Sequence, residues 1–169
     1  MKWSNSRRPC KLFSVNTKYK LFYELAFNLA KISYANDEVP VGAVIIKDET
    51  YELISWSYNQ MRTNKSSLDH AEMLALKDAM KRLQDERLTG CSMITTLEPC
   101  PMCAHAISYA RLNNIIFSAE DTKSGGVLNG PKIYESSSCH HKPHVIRFND
   151  DEKSKKLLQK FFQLKRKKA

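Results

Sequence analysis

Two short β-branched runs, residues 93–97 and 114–119, are separated by a segment of helical pattern, residues 100–112. Strands joined through a helix pair in parallel, because a parallel pair needs a crossover of a dozen or more residues. That unit commits the chain to an α/β sheet covered by helices. Residues 41–46 and 53–58 flank a Lys47-Asp48-Glu49 turn and read as an antiparallel hairpin, so the sheet is mixed.

The remaining periodicity supplies the covering helices. Leu21, Phe22, Leu25, Leu29 and Ile32 recur at helical spacing after the caps Asn16 and Thr17, which predicts a helix over 17–35 ended by Asn36, Asp37 and Pro40. Met73, Leu74, Leu76, Ala79, Met80 and Leu83 predict another over 70–83, and Leu157, Leu158, Phe161, Phe162 and Leu164 a last one near the end. Residues 124–131 and 135–143 read as loops, with a final strand at 144–148. A chain of 169 residues fits one domain at about 150 residues per domain. The expected layout is an extension over 1–14 and a single domain over 15–169 that ends in a basic helix.

With 42% apolar and 27% charged residues the composition is that of a globular protein, not of a disordered or membrane chain. The longest apolar run, Val39 to Ile46, falls far short of the roughly 20 residues that span a bilayer, and residues 1–10 lack the apolar centre of a signal peptide. A cytoplasmic protein without a membrane partner is expected. The formal net charge is +9, and Lys153, Lys155, Lys156, Lys160, Lys165, Arg166, Lys167 and Lys168 supply nearly all of it. So concentrated a cationic end attracts polyanions, nucleic acid or an anionic membrane surface, in a salt-dependent way; the plainer alternative is a solvated tail.

Five cysteines without a secretion signal do not suit a disulfide framework. Cys100 and Cys103 alone stand at ligand spacing; Cys10 reads as a terminal thiol, Cys91 as a strand residue and Cys139 as a loop residue. Pro99-Cys100-Pro101-Met102-Cys103 opens one helix and His70-Ala71-Glu72 opens another. Two cysteines three apart in a first helical turn face the same way, and the helix N-terminus favours their thiolates. With His70 they offer a Cys2His set of three protein ligands, whereas closed structural zinc sites use four, which leaves a position for water. Glu72 lies about 200° around the helix from His70 and suits an acid/base beside the metal better than a ligand. Zinc lowers the pKa of a bound water to about 7, and a nearby carboxylate can take its proton and return it. A redox Cys-x-x-Cys is disfavoured by the flanking prolines and the distant His-x-Glu. A closed structural zinc needs Cys91 or Cys139 as a fourth ligand.

These motifs resemble the zinc-dependent nucleobase and nucleoside deaminases, which carry His-x-Glu and Pro-Cys-x-x-Cys. Within that superfamily the chain is most similar to the bacterial tRNA-specific adenosine deaminases, which convert the wobble adenosine of an anticodon to inosine. The residues that carry this likeness are Glu38-Val39-Pro40-Val41-Gly42-Ala43-Val44, Asn59, His70-Ala71-Glu72, Thr96-Leu97-Glu98-Pro99-Cys100 with Cys103, Asp121-Thr122-Lys123, Leu157-Leu158, Phe161-Phe162 and Arg166.

The resemblance implies a cytidine-deaminase-like α/β/α sandwich with a mixed central sheet, one zinc per subunit on His70, Cys100 and Cys103, and proton transfer by Glu72. It implies a flipped adenine held by Val41, Asn59 and the backbone of Ala71, with the donor and acceptor of Asn59 suited to a purine edge. Asp121 and Lys123 match positions at the anticodon loop, and Phe162 and Arg166 match a terminal helix that meets RNA. A tRNA anticodon stem-loop is the implied partner and a homodimer the implied assembly. Glu120 stands where relatives are often basic or small, and residues 124–130 lack their Gly-Ser-Leu-Met run. Histidines beside Cys139 occur in relatives too, so no second metal is expected. Two rivals stay open: a deaminase of a free base or nucleoside such as guanine or cytosine, and a non-catalytic RNA-binding protein with structural zinc.

Overall fold

A computed structural model of the chain describes residues 17–148 and 152–168. The expected extension over 1–14, with Arg7, Arg8 and Cys10, lies outside these. Along the chain run α1 (Thr17–Ala35), β1 (Gly42–Lys47), β2 (Leu53–Tyr58), α2 (Ala71–Leu83), β3 (Cys91–Leu97), α3 (Pro101–Tyr109), β4 (Asn114–Ala119), a 3-10 turn (Ile133–Glu135), β5 (His144–Arg147) and α4 (Glu152–Lys168).

The strands form one sheet in the order β2-β1-β3-β4-β5. β1 is antiparallel to both β2 and β3, while β3, β4 and β5 run parallel. The hairpin and the parallel crossover are those predicted from sequence. β3 is buried along nearly its whole length, as a central strand covered on both faces must be.

Strand alternation divides the core in two. Val44, Ile46, Ile94 and Ile116 pack against Tyr23, Ala26 and Leu29 of α1 and against Phe148. Ala43, Ile45, Met93 and Ile115 point the other way, against Ala75, Leu76 and Ala79 of α2 and Ala104 and Ile107 of α3. α4 lies on the α1 side, where Ser154 bonds the Tyr23 hydroxyl at 2.7 Å and the Ser118 hydroxyl at 3.2 Å. The result is the expected three-layer α/β/α sandwich with a mixed sheet.

The face that α1 buries is only partly the expected stripe: Leu29 is buried and Phe22 and Leu25 pack against the same core, but the two ends of the stripe do not. Leu21 is 72% exposed and Ile32 45%, while Tyr23, Ala26, Ala30 and Ser33 turn to the sheet. Close approach selects the small Ala26 and Ala30: a Cβ on Gly42 would lie 2.0 Å from the Ala26 carbonyl oxygen and 2.9 Å from the Ala30 nitrogen, so α1 sits directly on the start of β1. α3 is shorter than predicted, because Arg111 takes a left-handed φ of 58° just after it.

Because β1 opposes its neighbours in direction, its N-terminal end lies beside the C-terminal ends of β2, β3 and β4. Val41, Asn59, the Pro99-Cys100 segment and Asp121 are thereby brought to one edge of the sheet, the edge at which α/β folds bind ligands. Among the described residues no helix is long and apolar enough to cross a membrane.

Candidate functional site

Both helices that reach this edge begin at a ligand-type residue. His70 is the residue that precedes α2, extended at φ −69° and ψ 153°, and its side chain makes no capping bond. Its imidazole is turned instead toward α3. Asn59 takes over the vacant duty: its Oδ1 accepts the Ala71 N–H at 2.8 Å. Cys100 stands in the same relation to α3, extended at φ −66° and ψ 168°, with Pro101 at the first helical position. Proline there needs no N–H partner and has its φ preset for the helix. Cys103, one turn in, completes the pair.

His70, Cys100 and Cys103 bring their ligand atoms within 4.8 Å of one another. His70 Nδ1 is 3.7 Å from Cys100 Sγ and 3.6 Å from Cys103 Sγ. A tetrahedral zinc with bonds of about 2.3 Å to sulfur and about 2.0 Å to nitrogen separates an S and an N ligand by about 3.6 Å. The donor set and its spacing therefore fit zinc, which matches the soft thiolate and imidazole chemistry of that ion. Among the described residues this is the one such group of three or more. Neither proposed fourth ligand joins it: Cys91 begins β3 at the far end of the sheet, and the Cys139 sulfur contacts the Ser108 hydroxyl and the His141 carbonyl.

The electrostatics are those of a metal-free ligand set. A hydrogen bond from the Cys103 thiol, reinforced by His70, lowers the Cys100 pKa to about 4. That same bond, with burial, pushes the Cys103 thiol up. His70 is raised by its bond to Cys100 against the opposing effect of burial. A divalent cation replaces the protons that these three share.

Glu72 sits on the buried face of α2 with Ala75, Leu76 and Ala79, and is 3% exposed. Burial pushes its carboxyl up to about 7, and its side chain hydrogen-bonds Cys103. The residue kept out of the ligand set by its turn around the helix is thus placed against it by the fold.

Val41 and Asn59, each 4% exposed, adjoin Ala71, with the Asn59 N–H donated to the Val41 carbonyl at 3.2 Å. The acceptor half of the Asn59 carboxamide and the N–H of Ala71 are engaged with each other, so the Asn59 Nδ2 group is the part left to meet a ligand. Asp121 is half-buried, and its Oδ1 accepts the N–H groups of Lys123 at 3.0 Å and Ser124 at 2.9 Å. Lys123, Phe162 and Arg166 are exposed. Phe161 is a core residue and Phe162 is not. α4 is nevertheless tied to the rim of the site: Lys165 pairs with Asp37, which also pairs with Arg62 in the segment between Asn59 and His70. Glu120, the acid that departs from the family pattern, is neutralised by Arg147.

Two buried carboxylates flanking the site escape a reading by ligand type. Glu38 Oε1 accepts the N–H groups of Arg62 at 2.8 Å and Thr63 at 2.7 Å. Glu98 holds the loop that follows Asp121 in the same way, and burial of its carboxyl is more than offset by donors from Asn129, Leu128 and Asp121 that keep its pKa low. The available signal was an acid next to a strand end and a proline, at Val39-Pro40 and at Leu97 and Pro99.

Residues 16–119 match the family described as the cytidine and deoxycytidylate deaminase zinc-binding region. The tRNA-specific adenosine deaminase of Agrobacterium fabrum (strain C58 / ATCC 33970) is 39% identical over 145 residues, which cover 86% of this chain and 94% of that protein. That of Aquifex aeolicus (strain VF5) is 40% identical over 141 residues, 83% of this chain and 91% of its own length. A solved structure from studies of A-to-I editing by tRNA:A34 deaminases at the wobble position of transfer RNA superposes with a TM-score of 0.79 at 37% identity, over 82% of this chain and 99% of its own. The zinc-ready edge of the sheet thus has its counterpart in known proteins: the chain belongs to the cytidine and deoxycytidylate deaminase family and stands among its tRNA-specific adenosine deaminases.

Proposed function

We propose that the protein deaminates adenosine to inosine at the wobble position of a tRNA anticodon. The observation that carries this reading is the meeting of three zinc-type donors, at 3.6 and 3.7 Å from His70 Nδ1 to the two sulfurs, with a buried carboxyl beside them. The names of the relatives supply the substrate. In the reaction water adds across the C6–N1 double bond of the adenine, one proton passing to N1; the bond from C6 to the amino nitrogen then breaks as the hydroxyl proton passes to that nitrogen, which leaves a C6 carbonyl and ammonia.

His70, Cys100 and Cys103 would hold the zinc, which would supply the Lewis acidity that lowers the pKa of a water to about 7. Glu72, buried beside these three residues, would carry the attacking water's protons to N1 and then to the departing amino nitrogen. Val41 and Ala71 pack on the base, and the Asn59 Nδ2 group donates to a ring nitrogen. Asp121 and Lys123 meet the anticodon loop, while Phe162 offers an aromatic face to a base and Arg166 a guanidinium to phosphate. The fold is used as one deaminase domain over 15–169 preceded by a short extension. The family resemblance adds a homodimer working in the cytoplasm.

Zinc-loaded protein is mixed with an adenosine-bearing anticodon stem-loop and, separately, with guanine, cytosine, cytidine and adenosine, and ammonia release is followed. RNA alone reacts under this reading. Preferential turnover of a free base transfers the site to the small-substrate deaminases, and a metal-bound protein inert on every substrate leaves an RNA-binding role.

A further inference from the structure

The loop that carries Asp121 and Lys123 is wound around one side chain that belongs to the opposite wall. Glu98 is 2% exposed and stands between the end of β3 and Pro99. Its Oε1 accepts the N–H groups of Val127 at 3.1 Å, Leu128 at 2.7 Å and Asn129 at 2.9 Å. Its Oε2 accepts the Asp121 N–H at 3.1 Å and the Asn129 Nδ2 group at 2.6 Å. Both ends of the loop thus converge on a single carboxylate. A loop of this kind otherwise leaves its N–H groups to water, and a buried carboxylate without donors is strongly unfavourable, so each requires the other.

Packing repeats the message. A Cβ on Gly125 would stand 2.5 Å from the Glu98 carboxyl carbon, and one on Gly126 would stand 2.6 Å from the Pro101 nitrogen. The Gly126 N–H is donated to the Pro99 carbonyl at 2.8 Å. The loop therefore lies directly on the start of α3, where Cys100 is.

We infer that Glu98 is a positioning residue for the substrate: it fixes the Asp121 end of the loop at a set distance from the Cys100 corner, so that RNA bound by the loop presents its base to the site. This rests on the RNA reading above. Glu98 stands outside the group of His70, Cys100 and Cys103 and both its oxygens are taken by loop donors, so its effect is on how RNA is held.

Three variants test it: Glu98→Gln, Asn129→Asp and the two together. Glu98→Gln keeps shape but sets an NH2 against donors whichever way it turns, the Asn129 Nδ2 group and the Asp121 N–H at one oxygen or three main-chain N–H groups at the other. Asn129→Asp alone sets two carboxylates together. The double variant restores one donor facing one acceptor. KM and kcat for the stem-loop, zinc per chain and amide hydrogen exchange at Val127, Leu128 and Asn129 are measured on each.

We expect either single variant to raise KM about tenfold or more, the effect of losing a charge-assisted hydrogen bond, with kcat changed by less than about threefold. Zinc stays at one per chain and the three amides exchange faster. The double variant recovers part of the KM and of the protection, since the Asn129 contact is restored while the Asp121 N–H still meets an NH2. An unchanged KM with faster exchange overturns the inference, and so does a fall in kcat and zinc content without a KM effect, which makes Glu98 a brace for the cysteines. A brace would also give no rescue in KM. Failure of the unmodified protein to turn over RNA rejects the functional reading instead, and exchange at the three amides still reports whether Glu98 holds the loop.

Discussion

The ligand corner and the terminal helix both present charge-binding groups, thiolates and imidazole for a cation at one and lysines and arginine for a polyanion at the other, yet they are built in opposite ways. At the corner Cys103 is fully buried, Glu72 and Asn59 nearly so, and main-chain bonds fix where each side chain starts. On α4, Ser154 and Phe161 anchor the helix, while Phe162, Leu164, Arg166 and Lys167 face solvent. Water screens the second arrangement, and at the first it reaches only the partly exposed His70 and Cys100 while Cys103, Glu72 and Asn59 are closed off. The difference separates two jobs: a reaction needs fixed distances and a low local dielectric, whereas capture of a flexible polyanion needs mobile charge spread over a surface.

The largest effect belongs to the buried side. Glu72→Gln removes the proposed proton carrier while leaving His70, Cys100 and Cys103 in place, and should lower kcat by about 10² to 10⁴, the range of general acid–base catalysis. Elemental analysis should still find one zinc per chain. Loss of the metal along with turnover would make Glu72 part of the ligand set and erase the contrast between a holder and a proton carrier.

A smaller effect is expected from the exposed side. Deleting α4 outright also removes Ser154 and Phe161 from the core, so neutralising its solvent-facing charges is the cleaner change. Lys160→Gln, Arg166→Gln and Lys167→Gln combined should weaken stem-loop binding by roughly ten- to a hundredfold at low salt and make the slope of log K against log salt shallower by about 2 to 3. kcat at saturating RNA should hold. A salt slope that does not move would detach the tail from RNA capture, and a fall in kcat would show that the tail reaches the chemistry.

How much of this was legible in the sequence follows the same division. β2 over Leu53–Tyr58, α1 over Thr17–Ala35 and β4 over Asn114–Ala119 stand where periodicity put them. A period of two or of 3.6 is a local property, written in neighbouring residues. Which face of α1 is buried is not local: Leu21 and Ile32 fit the helical stripe, but the near contact of Gly42 with Ala26 decides the matter from another element. The zinc donors were legible because few other uses require two cysteines at that spacing with a distant His-x-Glu. Glu38 and Glu98 carried the family likeness but not their role, since an acid beside a proline looks like an ordinary solvated loop until the N–H groups that it collects are seen. Asn59 was half legible: its type fits a base edge, yet its bond to Ala71 appears only in three dimensions.

That divided carboxamide gives the finest test of the contrast, because one side chain serves both structure and ligand. Asn59→Ala removes the acceptor of the Ala71 N–H and leaves a buried donor unpaired, which costs about 1 to 3 kcal/mol of stability. Asn59→Asp keeps an oxygen on that N–H, with its charge favoured at the start of α2, but offers no donor to a base. Thermal unfolding should therefore fall by several degrees for Asn59→Ala and much less for Asn59→Asp, while both lose more rate than RNA affinity. If Asn59→Asp retains full turnover, the Nδ2 group does not meet the base and Asn59 serves only to start α2. If both variants lose binding and rate equally, the pocket contributes to RNA capture, and the division of labour between the buried corner and the exposed helix is less strict than their burial implies.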